Sequence, residues 1–296
     1  MIAVLQQLVD GLGRGSAYAL LALGLGLIFG VMHLVNFAHG EPVTVAAYSV
    51  YAAAMFGAPW WALAVVAVVA AVLTSLAIEF AGFRRLRAAD DFTLLLTSFG
   101  IAVLVRAGFS MWVSTTPRQF HRPAWIFDTV RAGPLALEIY DLVVIAVTAL
   151  TLVGTWLLLQ KTMFGLALRA AAEDFDAARL MGARANRLIA GAFALAGLLA
   201  GIAAVLILMR RGQAEPDMGL DILLPGLLAA IIGGLGRLEG AVLGGLALGV
   251  AQSAFRAWIL PNSLSRLTEA AVFGLIALLF IFRPEGILSA RRAERV

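Results

Sequence analysis

The stretch "LIAGAFALAGLLAGIAAVLILM", Leu188–Met209, contains 22 residues and no charged side chain. An α-helix rises about 1.5 Å per residue, so a run of this length can cross a hydrocarbon layer of about 30 Å. The rest of the chain is of the same kind, since 62% of its 296 residues are hydrophobic and only 14% are charged. The stretch therefore predicts a membrane-spanning helix in a chain that is hydrophobic throughout.

Similar runs repeat along the whole sequence. Eight further candidate membrane segments are Ser16–Met32, Glu41–Phe56, Trp60–Ile78, Phe92–Val113, Leu142–Leu159, Ile222–Gly236, Gly240–Leu260 and Ala270–Phe282. Segments that are short or interrupted by glycine and proline are typical of helices that line a cavity. We predict an all-α polytopic membrane protein, a bundle of about nine membrane segments (eight to ten), some short or broken. Residues 1–296 are predicted to form a single transmembrane domain.

The basic residues predict an orientation. With the N-terminus outside and the C-terminus cytoplasmic, thirteen basic residues face the cytoplasm: Arg84, Arg85, Arg87, Lys161, Arg169, Arg179, Arg184, Arg187, Arg237, Arg283, Arg291, Arg292 and Arg295. Six face outward: Arg118, Arg122, Arg131, Arg210, Arg211 and Arg266. Basic residues concentrate in cytoplasmic loops, so the excess supports this topology. The membrane topology thus accounts for the positions of the arginines, and we predict no nucleic-acid partner.

Several kinds of chemistry are excluded. The chain has no cysteine, and its three histidines, at positions 33, 39 and 121, do not have the spacing of metal ligands. We therefore predict no metal, no cofactor and no catalytic site.

Glycines recur at a spacing of four residues, which predicts close packing of helices in lipid. The glycines concerned are Gly26, Gly30, Gly197, Gly201, Gly236, Gly240 and Gly244. An alternative is that these glycines form a moving or subunit-facing surface.

The stretch "VNFAHGEPV", Val35–Val43, places Asn36, His39 and Glu41 directly after a hydrophobic run. It is either a cytoplasmic turn or a broken segment that lines a transport path or its gate. Isolated polar residues within other runs are also candidates to face that path: Thr97, Ser98, Gln252 and Glu269. The alternatives are a hydrogen bond from Thr97 or Ser98 to its own helix, and an ion pair between Glu269 and Arg266.

The stretch "GLALRAAAEDFDAARLMGAR", Gly165–Arg184, is too polar to enter the bilayer. Its Ala, Leu and Arg content predicts one or two short helices, and Gly182 is a plausible stop. The whole loop, residues 160–187, is longer than a connection between adjacent helices needs. On the cytoplasmic side, such a segment indicates a docking element for another protein.

Four stretches together resemble one family. They are "GSAYALLALGLGLIFGVMHLVNFAHGE" (Gly15–Glu41), "GLALRAAAEDFDAARLMGARANRLIAGAFALAGLLAGIAAVL" (Gly165–Leu206), "PGLLAAIIGGLGRLEGAVLGGLALGV" (Pro225–Val250) and "RPEGILS" (Arg283–Ser289). In this order and spacing they resemble the H-type permease subunit of ABC importers for branched-chain amino acids.

The resemblance implies partners and site residues. It implies a second related permease subunit, two cytoplasmic ATPase subunits and a periplasmic solute-binding protein, in the inner membrane. The ATPase-docking residues carried over by position are Gly165, Arg169, Glu173, Asp174, Ala177 and Gly182. The chain has no GxxxxGK[ST] phosphate loop, in agreement with ATP hydrolysis in a partner and with a subunit that is not itself an enzyme.

Two features leave the solute open. Pro42 follows "NFAHGE", and "GGLGRLEGA" carries Arg237 and Glu239, where the family usually has other residues. Members of the family take up branched-chain amino acids, urea, short amides or small carboxylates. The expected mechanism is ATP-driven alternating access. The alternatives are a self-contained secondary transporter or channel, and a membrane enzyme.

Overall fold

A computed structural model describes residues 2–86, 89–113, 115–132, 135–259 and 274. The helices are α1 Ile2–Met32, α2 Glu41–Met55, α3 Trp60–Ile78, α4 Asp91–Trp112, α5 Ile139–Lys161, α6 Met163–Glu173, α7 Phe175–Leu180, α8 Ala185–Arg211, α9 Met218–Gly233 and α10 Leu238–Ala254. Single 3₁₀ turns lie at Phe37–Gly40 and Ala124–Phe127, and π turns extend α3 and α10 at Glu79–Phe83 and Phe255–Ile259. Four short strands are β1 Arg118–Gln119, β2 Thr129–Ala132, β3 Leu135–Glu138 and β4 Gln213–Ala214.

Within the described residues, six helices are long and apolar enough to cross a membrane: α1, α3, α4, α5, α8 and α10. They coincide with six of the predicted segments. The predicted segments beginning at Glu41 and Ile222 correspond to α2 and α9, which have only 15 and 16 residues. At 1.5 Å per residue they are about 22–24 Å long, less than the thickness of a hydrocarbon layer. The segment Ala270–Phe282 lies outside the described residues.

Helices α1 and α8 form the centre of the bundle. α1 packs against α5, α8, α9 and α10, and α8 also packs against α3. Close approach depends on glycine, because an added Cβ at Gly201 would lie 2.8 Å from the Val68 Cα of α3. At Gly197 it would lie 2.6 Å from the Ser75 side chain. Such small-residue contacts drive helix association where lipid supplies no hydrophobic force.

Helices α3, α4 and α5 lie at the periphery. In the most apolar part of each of these helices only 17–22% of the residues are buried, whereas 78% are buried in the corresponding part of α1. Their outward side chains are large and hydrophobic, such as Leu73, Leu104 and Leu150. These faces are therefore available to lipid or to other subunits.

The bundle has two distinct ends. At one end, which we call the hairpin end, β2 pairs with β3 and β1 pairs with β4, so the loop after α4 is tied to the loop after α8. At the other end, which we call the connector end, α6 and α7 join α5 to α8. The ends of α1 and α9 and the start of α10 also lie at the connector end, since α6 contacts α1 and an added Cβ at Gly236 would approach Phe29.

Candidate functional site

Residues 33–40 form a turn that folds back into the bundle, which we call the re-entrant turn. The imidazole of His39 packs against Gly24, where an added Cβ would lie 2.7 Å from Nε2. Gly24 comes eight residues before the end of α1 at Met32, or about 12 Å of helix. Helix α2 therefore begins inside the bundle, not at its surface, and His39 is 1% exposed.

Two hydrogen bonds hold the re-entrant turn. The Asn36 side-chain oxygen accepts from the backbone N–H of Ala38 at 3.0 Å and so caps the 3₁₀ turn. The backbone N–H of Phe37 donates to the Ser98 hydroxyl of α4 at 3.2 Å. Buried backbone groups need such partners, because an unpaired group away from water is costly. The turn is thereby attached to a peripheral helix.

The start of α9 meets the start of α2. The backbone N–H of Gly219 donates to the Thr44 hydroxyl at 3.0 Å, and an added Cβ at Gly40 would clash with the Gly219 carbonyl. Pro42 lies in the first turn of α2, where a missing N–H costs nothing. Two short helices thus direct their positive N-terminal ends to one interior point, an arrangement that suits an anionic group.

Polar side chains are buried at this point. The Glu41 Oε2 is buried without a hydrogen bond, and the buried His39 imidazole lies next to the Leu21 backbone. Glu41 is 3% exposed although it carries a carboxyl group. Polar groups so placed within a membrane domain indicate a path or a site for a polar solute.

The predicted path residues fall into two places. Asn36, His39, Glu41 and Ser98 lie together at the re-entrant turn, whereas Thr97 donates to the Thr93 carbonyl of its own helix at 2.7 Å. Ser98 makes the equivalent bond to the Leu95 carbonyl. Gln252 lies elsewhere, between α1 and α10, where its side-chain oxygen accepts from the Tyr18 hydroxyl at 3.1 Å. Glu269 lies outside the described residues.

The connector contains two short helices, as the sequence predicts. Thr162 caps α6 by accepting from the Gly165 N–H at 3.1 Å, and Asp174 caps α7 by accepting from the Ala177 N–H at 2.9 Å. Gly182 has φ of +94° just after α7 ends, a conformation that favours glycine. Local capping therefore sets the bounds of both helices.

The start of helix α6 packs closely against α5 and α8. Gly165 is buried against the end of α5, where a side chain would clash with the Leu159 backbone. The ring of Phe164 fills the space above Gly191 of α8, where a Cβ would clash with that ring. A movement of α6 would therefore be transmitted to both α5 and α8.

The far part of the connector is exposed. Leu180 and Met181 lie next to each other at the end of α7 and are each 89% exposed. These two apolar side chains are available for contact with another molecule. Of the predicted docking residues, Glu173, Asp174, Ala177 and Gly182 are also exposed, and the half-buried Arg169 donates to the Gln160 side chain.

A cavity of about 810 Å³ lies beside α6, between α1, α5 and the start of α10. It is lined among others by Gly26, Gly30, Trp156, Arg169, Glu173 and Leu238. Gly26 and Gly30 thus face a cavity, and an added Cβ would meet neighbours only at 3.6 and 3.5 Å. Gly240 and Gly236 also line this cavity. Gly240 and Gly244 touch the backbone of α9, and Gly236 lies in the turn between α9 and α10 with φ of +96°.

Sequence reasoning did not select Gly24, Thr44 or Gly219. Thr44 could have been found from the sequence, because it lies one helical turn after Glu41 and so on the same face of the helix. Gly24 and Gly219 have no local signal, because their partners His39 and Gly40 are brought to them by tertiary packing.

Comparisons with known proteins agree along the length of the chain. A family profile described as the permease component of branched-chain amino acid transport systems matches residues 7–281. The chain is 33% identical to the high-affinity branched-chain amino acid transport system permease protein BraD of Pseudomonas aeruginosa, covering 99% of this chain and 98% of BraD. It is 28% identical to the corresponding protein LivH of Escherichia coli K12, covering 99% and 97%.

The fold has a solved counterpart. An inward-facing ABC transporter assigned to the metal-chelate type superposes with a TM-score of 0.53 at 17% identity, covering 93% of this chain and 85% of that chain. At this identity the likeness concerns the fold alone. The profile match and the relative at 33% identity decide the family: this chain belongs to the permease components of branched-chain amino acid transport systems.

Proposed function

We propose that the chain moves branched-chain amino acids or a similar small polar solute (an amide, urea or a small carboxylate) into the cell by alternating access. It acts in the inner membrane beside a second, related permease subunit. Two ATPase subunits bind the cytoplasmic side, and a periplasmic binding protein delivers the solute outside. The relatives named as branched-chain amino acid permeases support the solute class, since they match almost the entire chain.

We assign the connector end to the cytoplasm. Lys161, Arg169 and Arg237 lie at that end, and Arg118 and Arg210 lie at the hairpin end. Basic residues favour the cytoplasmic side, and among the described residues the loops at the connector end carry more of them than the loops at the hairpin end. In this topology α1 begins outside, the C-terminus is cytoplasmic, and Ala270–Phe282 completes about nine segments in one domain spanning residues 1–296.

The observation that supports a solute path most strongly is the meeting of α2 and α9 at the re-entrant turn. Broken helices inside membrane proteins lie where their backbone lines a cavity, because lipid cannot form hydrogen bonds with free backbone N–H and C=O groups. Asn36, His39 and Glu41 are buried at this point and lie away from the lipid-exposed faces. We place the path or its gate there.

The connector is the ATPase-docking site in this proposal. It combines exposed apolar side chains with a firm attachment to α5 and α8 through Gly165 and Phe164. ATP binding in the partners would shift α6, and rigid helices would carry the shift to the path.

The test is reconstitution. Vesicles that contain this chain, its partner permease and both ATPases, supplied with binding protein and leucine, should accumulate leucine only when ATP is enclosed on the ATPase side. Omission of this chain should abolish uptake. A chain that accumulates leucine alone, driven by an ion gradient, would instead be a secondary transporter.

A further inference from the structure

One face of α2 carries a row of polar side chains. Glu41, Thr44 and Tyr48 occupy positions i, i+3 and i+7, which lie one above another on a helix. All three are at most 5% exposed, so the row faces the protein interior. Polar groups inside a membrane domain are costly and face partners or cavities.

Two members of the row each carry a buried polar atom without a hydrogen bond. The Glu41 Oε2 and the Tyr48 hydroxyl are buried without a hydrogen bond, whereas Thr44 accepts from the Gly219 N–H. Leaving such groups unpaired is unfavourable in a folded protein. A ligand that supplies the missing partners would remove that cost.

Charged groups of α4 and of the start of α9 lie opposite the row. Arg106 of α4 forms an ion pair with Asp217, which immediately precedes α9. Both residues also interact electrostatically with the Glu41 carboxyl, and Tyr48 interacts in the same way with Arg118, Glu215 and Asp217. The Tyr48 ring stacks on Phe109, one turn after Arg106, with centroids 4.3 Å apart.

We call Glu41, Thr44, Tyr48, Arg106 and Asp217 the polar slot. Its buried side is the row on α2, and its accessible side is the ion pair, whose side chains are 47% and 50% exposed. The half-exposed ion pair is the side of the polar slot from which a solute would enter.

The charges of the polar slot match a zwitterion. One guanidinium and the N-terminal ends of α2 and α9 attract a carboxylate, while two carboxyl groups attract an ammonium. A purely anionic solute would be repelled by Glu41 and Asp217. A purely cationic solute would be repelled by Arg106 and by both helix ends.

We propose that the polar slot recognises the ammonium and carboxylate groups of an amino acid during its passage. The solute carboxylate pairs with Arg106, the solute ammonium pairs with Glu41 and Asp217, and the existing ion pair opens. This inference rests on the proposed function, because it places the solute at Glu41. The polar slot does not distinguish amino acids by their side chains, in keeping with specificity set largely by the binding protein.

A charge swap separates recognition from structural support. In the reconstituted importer, Arg106→Glu combined with Asp217→Arg keeps an ion pair but reverses its direction. We expect normal assembly and leucine uptake at least about tenfold below the wild type, since the charges presented to the solute are inverted. The matched control is Arg211→Glu with Asp221→Arg, a neighbouring pair at 3.9 Å, which should keep uptake within about twofold.

Wild-type uptake in the Arg106→Glu/Asp217→Arg importer would overturn the polar slot and leave the proposed function intact. Failure of the wild-type importer to use ATP would overturn the proposed function itself. The two failures are thus distinguishable.

A labelling experiment covers the case in which the swapped protein does not assemble. The chain has no cysteine, so Tyr48→Cys introduces its only thiol. Leucine should slow modification of that thiol by a small polar thiol reagent during turnover, whereas leucinamide and 4-methylpentanoate, each lacking one charge, should not. Thr148→Cys, equally buried on α5, should be unaffected by leucine. Equal rates with and without leucine at position 48, or no modification in either case, would contradict the proposal.

Discussion

The re-entrant turn and the connector are both polar interruptions in a hydrophobic chain, yet the structure treats them in opposite ways. Asn36, Ala38 and His39 of the turn are buried, and backbone groups of the turn bond to the Asn36 and Ser98 side chains. The connector lies outside the bundle, caps its own helices and exposes Leu180 and Met181. A buried interruption depends on tertiary partners, whereas an exposed one depends on local capping and leaves its apolar groups free for another protein.

This difference predicts how each region fails. Substitutions in the turn should disturb folding or the solute path, because the turn packs against α1, α4 and α9. Substitutions on the outer part of the connector should spare folding and weaken a complex. The following four predictions test that contrast, from the largest expected effect to the smallest.

Gly40→Val should prevent stable folding. Its side chain would collide with the Gly219 carbonyl, and neither α2 nor α9 can withdraw without breaking the Thr44 bond. We expect a loss of several kcal/mol, on the order of 3 or more, for an overpacked rigid site. Monodisperse yield after detergent extraction measures it. Gly100→Val, in open space on α4, is the control and should give near-normal yield.

Leu180→Ser with Met181→Ser should weaken ATPase binding by roughly 10- to 100-fold, the loss expected for two apolar contacts at an interface. Folding should be unchanged, since both side chains are almost fully exposed. Titration of the purified permease pair with ATPase subunits measures the affinity. Lys161→Ser, also exposed at the connector end, is the control; an equal loss in both would place docking elsewhere.

Gly24→Ala should destabilise the protein by about 1–3 kcal/mol, because the new methyl group enters the space of the His39 ring. Thermal unfolding in detergent measures it, and His39→Ala in the same chain should restore most of the loss. Gly26→Ala, two residues on, meets its nearest neighbour at 3.6 Å and should be close to neutral. Equal effects at both glycines would show that the His39 imidazole does not pack closely against Gly24.

Ser98→Ala should cost about 1 kcal/mol, the usual value of one hydrogen bond, because the Phe37 N–H loses its acceptor. Thr97→Ala removes only a bond within its own helix and should cost less. The difference in midpoint temperature between the two variants is the measurement. A larger effect at Thr97 would show that the turn is not held by α4.

Much of this architecture follows from the sequence. Charge-free runs predict the helices, Pro42 is compatible with the start of α2, and Gly182 with the end of α7. These features depend only on neighbouring residues in the chain, so they can be recognised from one sequence. The depth of the re-entrant turn is not local, since it requires contacts of residues 36–44 with α1, α4 and α9. A spacing of four residues likewise does not distinguish Gly197, which touches α3, from Gly26, which faces a cavity.

A solute path at the re-entrant turn is tested most sharply by leucine uptake in importers that carry Asn36→Ala, His39→Ala or Glu41→Ala. We predict normal amounts of the assembled complex with its ATPases and a strong loss of ATP-driven uptake, at least about tenfold for Glu41→Ala. Wild-type rates in all three variants would show that the re-entrant turn is a structural bend with no part in the solute path.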